Sequence, residues 1–208
     1  MTQKERAAAV GTHVMSKIIP LQRGYLEGRS AAARAQLAQL RRLDASRGSS
    51  WMAAGELLFS AWPEDALGSP ESNAEAVNAV QAALMLYAVH QQSETRGVAL
   101  VRDSRDGSSK DWGAGSFGRV CRDIEPDLEA AKGVQRRLSQ IEAAKDFDGV
   151  TRGVRGLVQL MKAADVGPLD YWQLARDLYL VQLRYERDGV MRRWARQYYA
   201  YRPNGREE

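Results

Sequence analysis

Between Lys110 and Arg122 the chain reads K-D-W-G-A-G-S-F-G-R-V-C-R, which sets Gly113, Gly115 and Gly118 within six residues. This is the spacing of a loop whose backbone N–H groups cradle phosphates. With Val120 it imitates the glycine-rich loop that covers ATP in protein kinases. The same residues allow a second chemistry. A helix beginning near Ser116 brings Arg119 and Arg122, three apart, to one side of a loop carrying Lys110 and Trp112, and such a basic surface holds a polyanion. What surrounds the segment separates the two readings. A nucleotide loop joins two strands and is followed by a strand lysine, an H-R-D and a D-F-G, none of which occurs here, and Lys132 lies in a helical pattern. No hydrophobic strand precedes Gly113 and no parallel-sheet rhythm surrounds it, so a dinucleotide fold is not expected either.

Other reactive side chains are sparse. The two histidines, His13 and His90, are far apart, and His90 ends a long apolar helix, where packing or capping is the simpler role. Cys121 beside Val120 suits a small buried hydrophobe rather than a thiolate, and a single cysteine makes no internal disulfide. The carboxylate pairs Asp146/Asp148 and Asp103/Asp106 sit in turn-like surroundings with no metal pattern around them. No metal, cofactor or catalytic residue is expected. Trp172 and Trp194 fall at core positions of helices, whereas Trp112 lies in the glycine-rich loop and either anchors it or touches a partner.

The elements that must position these residues are helical almost throughout. Apolar residues recur at helical spacing, and only Val98 to Val101 reads as a short strand-like run. A first helix is expected from Lys4 to Ile19, stopping at Pro20, and a second from Ser30 to Ala45. In the second, Leu37, Leu40 and Leu43 form one stripe, while Arg34 and Arg41 share another side. A short helix over 51–59 precedes a long alanine-rich one over 71–92. Further helices are expected over 116–124, 127–143, 148–164 and 171–185, the last capped by Asp170, and then over 189–201. Arg136 and Arg137 lie on the 127–143 helix, Arg152 and Arg155 on the next. Arg192, Arg193 and Arg196 gather opposite the packed face of the last. This is an all-α chain of two small helical-bundle lobes and eight or nine helices. The expected division is an N-terminal lobe over 1–95, a flexible basic, glycine-rich connection over 96–115 and a C-terminal bundle over 116–208.

Net charge is +4, distributed as +6 over 1–50, −5 over 51–111 and +3 over 112–208. Basic ends flanking an acidic middle build a positive surface if the fold brings them together. Arginine is the main cation, and its planar fork suits phosphate. No apolar run reaches membrane-spanning length and no apolar signal core follows Lys4, Glu5 and Arg6, so a cytoplasmic protein is expected.

The blocks G-S-F-G-R-V at 115–120, R-R-L at 136–138, R-G-L-V-Q-L-M at 155–161, P-L-D-Y-W-Q-L-A-R-D-L-Y at 168–179 and R-R-W-A-R at 192–196 carry a resemblance. With L-A-Q-L-R-R-L at 37–43 and A-V-H-Q-Q at 88–92, the chain resembles the CasB family, the small subunits of the type I-E CRISPR surveillance complex, Cascade. The likeness runs from about Ser30 to Tyr199. Phe117 stands where the family more often has leucine, and the stretch from Asp103 to Gly113 is longer and richer in charge than the usual connection. The resemblance implies an all-helical, non-catalytic subunit present in two copies, next to other Cascade subunits. It also implies that the subunit stabilises guide RNA and target DNA and holds the displaced non-target strand. Residue by residue it points to Arg41 and Arg42, to Arg119, and to Arg136 and Arg137. Charge and spacing add Arg34, Lys110, Arg122, Arg152, Arg192 and Arg193 to the nucleic-acid-binding set. The rival reading is a structural helical adaptor whose arginines meet acidic protein surfaces.

Overall fold

Pro20 does not end the first helix. In the computed structural model, which describes residues 1–27, 30–43, 51–101 and 113–200, α1 runs Gln3–Leu26 straight through it. An interior proline costs about 3 kcal/mol. The turn beyond it offsets that cost by burying Leu21 and by placing Gln22, whose side chain brackets Ala99: Oε1 accepts from the Ala99 N–H (2.9 Å) and Nε2 donates to the Ala99 carbonyl (3.2 Å). At its other end α1 starts in a capping box, Thr2 and Glu5 each accepting the other's backbone N–H.

The order continues with α2 (Ala31–Arg41), α3 (Trp51–Phe59), α4 (Glu64–Leu67), a 3₁₀ turn (Pro70–Ser72) and α5 (Ala74–Gln91). Then come α6 (Phe117–Ile124), α7 (Lys132–Glu142), α8 (Phe147–Ala163), α9 (Tyr171–Leu180) and α10 (Arg187–Ala200). Sequence-legible caps start several of them: Ser30 accepts from Ala33 N–H, Asn73 from Ala76, Asp146 from Gly149 and Asp170 from Gln173. Among the described residues there is no sheet. The run at 98–101 forms one parallel bridge, Ala99 with Leu169, in which Leu169 N–H donates to Val98 O and Leu100 N–H to Leu169 O.

The helices form two clusters with α5 against both. Its small residues, Ala79, Ala82, Ala83 and Ala88, are buried together with Leu84, Leu86 and Tyr87, so α1, α2, α8 and α9 all pack against it, and α1 and α9 also pack on each other. Alanine costs little side-chain entropy in a helix, which suits a helix buried this way. The leucine stripe of α2 is buried as its spacing predicts. Of the 96–115 stretch, residues 102–112 lie outside the described residues. On its flanks Val98 and Ala99 are buried, and Gly115 O accepts from Asp170 N–H (2.7 Å).

Candidate nucleic-acid interface

Two of the three glycines that suggest a phosphate loop, Gly115 and Gly118, serve packing instead. Gly115 has φ +71°, a backbone that side chains rarely adopt, and a Cβ there would meet Pro168 O at 2.8 Å. Gly118 lies in the first turn of α6, where a Cβ would press on the Trp194 carbonyl, on Gln197 Cβ at 2.6 Å and on Tyr198 N at 3.0 Å. The segment therefore docks α6 onto α10, with Phe117 against the Trp194 ring at 4.5 Å between centroids. Arg122 goes inward with it. It is only 8% exposed, donates from Nη1 to Glu125 O (2.9 Å) and lies 5.9 Å from the Tyr198 ring centroid. Arg119 is half-buried and already engaged within the protein. Lys110 and Trp112 lie outside the described residues.

Three of the sequence-predicted arginines are brought together elsewhere. Gly149 and Gly153, one turn apart on α8, let neighbouring chain come close: a Cβ at Gly149 would lie 3.0 Å from Ala144 Cβ, and one at Gly153 would overlap the Ile141 side chain of α7. Gly156 opens on empty space. The result is a groove of about 590 Å³ between α7 and α8, floored by Gly149, Gly153 and Gly156 and edged by Arg136, Arg137, Gln140 and Arg152. All three arginines are exposed, and among the described residues none has an ion-pair partner. Arg152 also borders a second pocket, of about 350 Å³, where Leu43 after α2 meets α5 and α8. The remaining members of the predicted set are dispersed. Arg34, Arg42 and Arg192 are exposed, and Arg41 is half-buried at the end of α2.

Arg193 behaves differently from its neighbour. Its Nη2 sits 2.5 Å from Oδ1 of Asp177, a buried carboxylate on α9 whose Oδ2 accepts from Trp194 Nε1 at 2.8 Å. Burial raises the Asp177 pKa, and the Arg193 guanidinium works against that shift. Helical periodicity places Arg193 on a solvated face but carries no sign of a partner on another helix. Arg176, outside the sequence-predicted set, follows Trp172 by one helical turn and lies 6.0 Å from its ring centroid, a pairing that i, i+4 spacing signals.

The cysteine and both histidines are buried. Burial pushes the Cys121 thiol well up, so it stays protonated. His90 is pulled down to about 4, first by burial and then by Lys162 and Arg96, and its Nδ1 lies 3.1 Å from Tyr171 Oη. His13 is buried with Nε2 on Leu58 O at 2.8 Å. Among the described residues no group of three or more His, Cys, Asp or Glu could hold a metal, and no helix is long and apolar enough to cross a membrane.

The described residues define an all-helical protein with three exposed arginines, Arg136, Arg137 and Arg152, collected along a helix–helix seam. Residues 36–199 match the family described as CRISPR-associated protein Cse2. Among solved structures the fold is similar to the crystal structure of CasB from Thermobifida fusca, at 28% identity and a TM-score of 0.73, covering 91% of this chain and 97% of that one. No curated protein matches the chain at a significant level. The chain belongs to the Cse2 family, the CasB small subunits of the Cascade surveillance complex, which are non-catalytic.

Proposed function

We propose that this subunit stabilises the guide RNA–target DNA R-loop in Cascade and holds the displaced single strand on basic surfaces, the α7–α8 groove foremost among them. The observation that carries this reading is the convergence of Arg136, Arg137 and Arg152, exposed and without ion-pair partners among the described residues, over a floor of glycines. Glycine leaves no side chain between the guanidinium groups and an incoming phosphate backbone. Distributed arginines neutralise phosphates and release counterions without reading base identity, which is what a subunit needs when guide pairing supplies the sequence. Contacts made only with the opened strand lower the free energy of the open state and slow its reannealing. Arg34, Arg41, Arg42, Arg119 and Arg192 extend the basic surface in this reading, while Arg122 and Arg193 serve mainly to hold helices together. The subunit acts beside a second copy of itself and other Cascade subunits, in the cytoplasm.

The test is charge reversal of Arg136, Arg137 and Arg152 to Glu in the assembled complex. Retention of the displaced strand should fall. The slope of log affinity against log salt should flatten by about 2, since each single-strand phosphate contact contributes roughly 0.7. Unchanged retention and slope would refute the assignment. Photocrosslinks from these positions only to protein would establish instead an adaptor that meets acidic protein surfaces.

A further inference from the structure

Helices α1, α9 and α10 leave a second groove between them, of about 680 Å³. That is within the roughly 300–1,000 Å³ of sites that enclose small organic ligands. Its floor is apolar, built from Met15 and Ile19 of α1, Leu100 after the parallel bridge, and Trp172 in the first turn of α9. The indole is fixed from behind. Its Nε1 donates to Thr12 Oγ1 (3.2 Å), and Gly11 lets α1 approach so closely that a Cβ there would lie 2.8 Å from the Trp172 carbonyl and 3.0 Å from the ring.

The rim is cationic. Arg176, Arg193 and Arg196 all line it, and they differ in what they have left to give. Arg193 is held by Asp177. Arg176 reaches over the Trp172 ring, and Arg196 is exposed with no ion pair among the described residues. The carboxylate lining the groove, that of Asp170, is turned to the start of α9, accepting from Gln173 N–H and Gln173 Nε2 at 3.0 Å each. The groove thus offers a flat apolar floor, a rigid indole and a planar guanidinium within one ring's reach, with a second cation at the mouth.

We propose that this groove takes an unpaired nucleobase of single-stranded nucleic acid, stacked in the Trp172/Arg176 corner over Met15 and Ile19, with a flanking phosphate on Arg196. Every base has a π-face, so such a site holds a strand without choosing a sequence. A paired duplex keeps its bases inside and has nothing to insert, so the groove discriminates opened from closed DNA. An apolar peptide helix would match the floor and leave the cations unanswered. The proposal rests on the nucleic-acid reading above and divides the work within it: the α7–α8 groove holds backbone, the α1–α9–α10 groove engages a base.

The experiment compares binding of the full chain to an oligothymidylate and to an abasic sugar–phosphate strand of equal length, at low salt, by fluorescence anisotropy. The wild type should prefer the strand with bases by roughly tenfold, the scale of one stacked base. Trp172→Ala should bring the thymidylate down to the abasic level and leave abasic binding unchanged. Ile19→Ser, less intrusive to folding, should reduce the preference in the same direction. Arg196→Gln should weaken both strands alike. Equal wild-type binding of the two strands would overturn the proposal, as would a preference untouched by Trp172→Ala and Ile19→Ser. In either case the groove houses another occupant, such as a helix of a neighbouring subunit. Binding of neither strand overturns it too, and the crosslinks in the assembled complex then decide the wider reading separately.

Discussion

Replacing Gly118 by alanine tests whether the glycine-rich segment is a packing seam. The new Cβ would meet three groups of α10 at once: the Trp194 carbonyl as the nearest atom, Gln197 Cβ at 2.6 Å and Tyr198 N at 3.0 Å. Ordinary contact begins at 3.4 Å, and two of the three are main chain, so no rotamer change relieves the overlap. Relief requires α10 to move away from α6 by about 1 Å, loosening Phe117 from Trp194 and stretching the bond from Gly118 N–H to Gln197 Oε1. Overpacking of this kind costs about 1–3 kcal/mol and occasionally more, against about 1 kcal/mol of helix propensity gained by alanine. With two main-chain overlaps the cost falls in the upper part of that range, about 2–3 kcal/mol, so the net loss should be about 1–2 kcal/mol, which in a chain of this length lowers Tm by roughly 2–8 °C. Gly156→Ala is the matched control, because α8 leaves nothing within 4 Å of a Cβ there. With propensity alone at work, it should raise Tm by about 1–4 °C. Circular dichroism melts of the two variants and the wild type decide the matter. If Gly118→Ala melts at or above the wild type while Gly156→Ala gains stability, the seam between α6 and α10 is not sterically closed.

Two further outcomes concern buried charge. His90 has its pKa lowered from 6.5 to about 4, so between those values the unfolded chain binds a proton that the folded one refuses. Stability therefore falls as pH drops from 6.5 through 4, by up to about 3 kcal/mol at 1.36 kcal/mol per tenfold. Urea unfolding at three pH values should give a flatter profile for His90→Gln than for the wild type; parallel profiles would refute the assignment. Asp177→Ala leaves the Arg193 guanidinium and Trp194 Nε1 without their shared acceptor. A loss of about 3 kcal/mol is expected, with Asp177→Asn less damaging because its amide oxygen still accepts one bond. Equal losses for Ala and Asn would mean that the carboxylate acts by charge alone.

Much of the fold is legible in the sequence because it rests on local rules. Periodicity locates most of the helices, and Ser30 and Asp170 act as the caps their types suggest. What escapes is set by distant partners. Pro20 looks like a stop, but Gln22 and Leu21 gain more beyond it than the proline costs. Glu64–Leu67 is too short for any period to emerge and reads as loop. Arg193 looks solvated because Asp177 is sixteen residues away on another helix. Trp172 reads as core yet is only half-buried, since its ring, seated against Gly11 and Thr12 of α1, lines an open groove. The α7–α8 groove left a usable trace: Gly149, Gly153 and Gly156 fall within about 60° of one another at about 100° per residue.

The two uses of glycine here lead to opposite functional consequences. At Gly118 the missing side chain lets two helices close, and the neighbouring Arg122 is drawn inside, where its charge is spent on Glu125 O and a tyrosine ring. At Gly149 and Gly153 the same omission brings chain close to α8, but Gly156 faces open space and the flanking arginines remain outside. A glycine-rich stretch beside arginines is therefore not by itself a phosphate site. Whether it becomes one depends on whether a second helix fills the space that glycine vacates. Where α10 fills it, the sequence motif is structural; where α7 leaves it half filled, the arginines stay exposed, as the proposed strand-holding role requires.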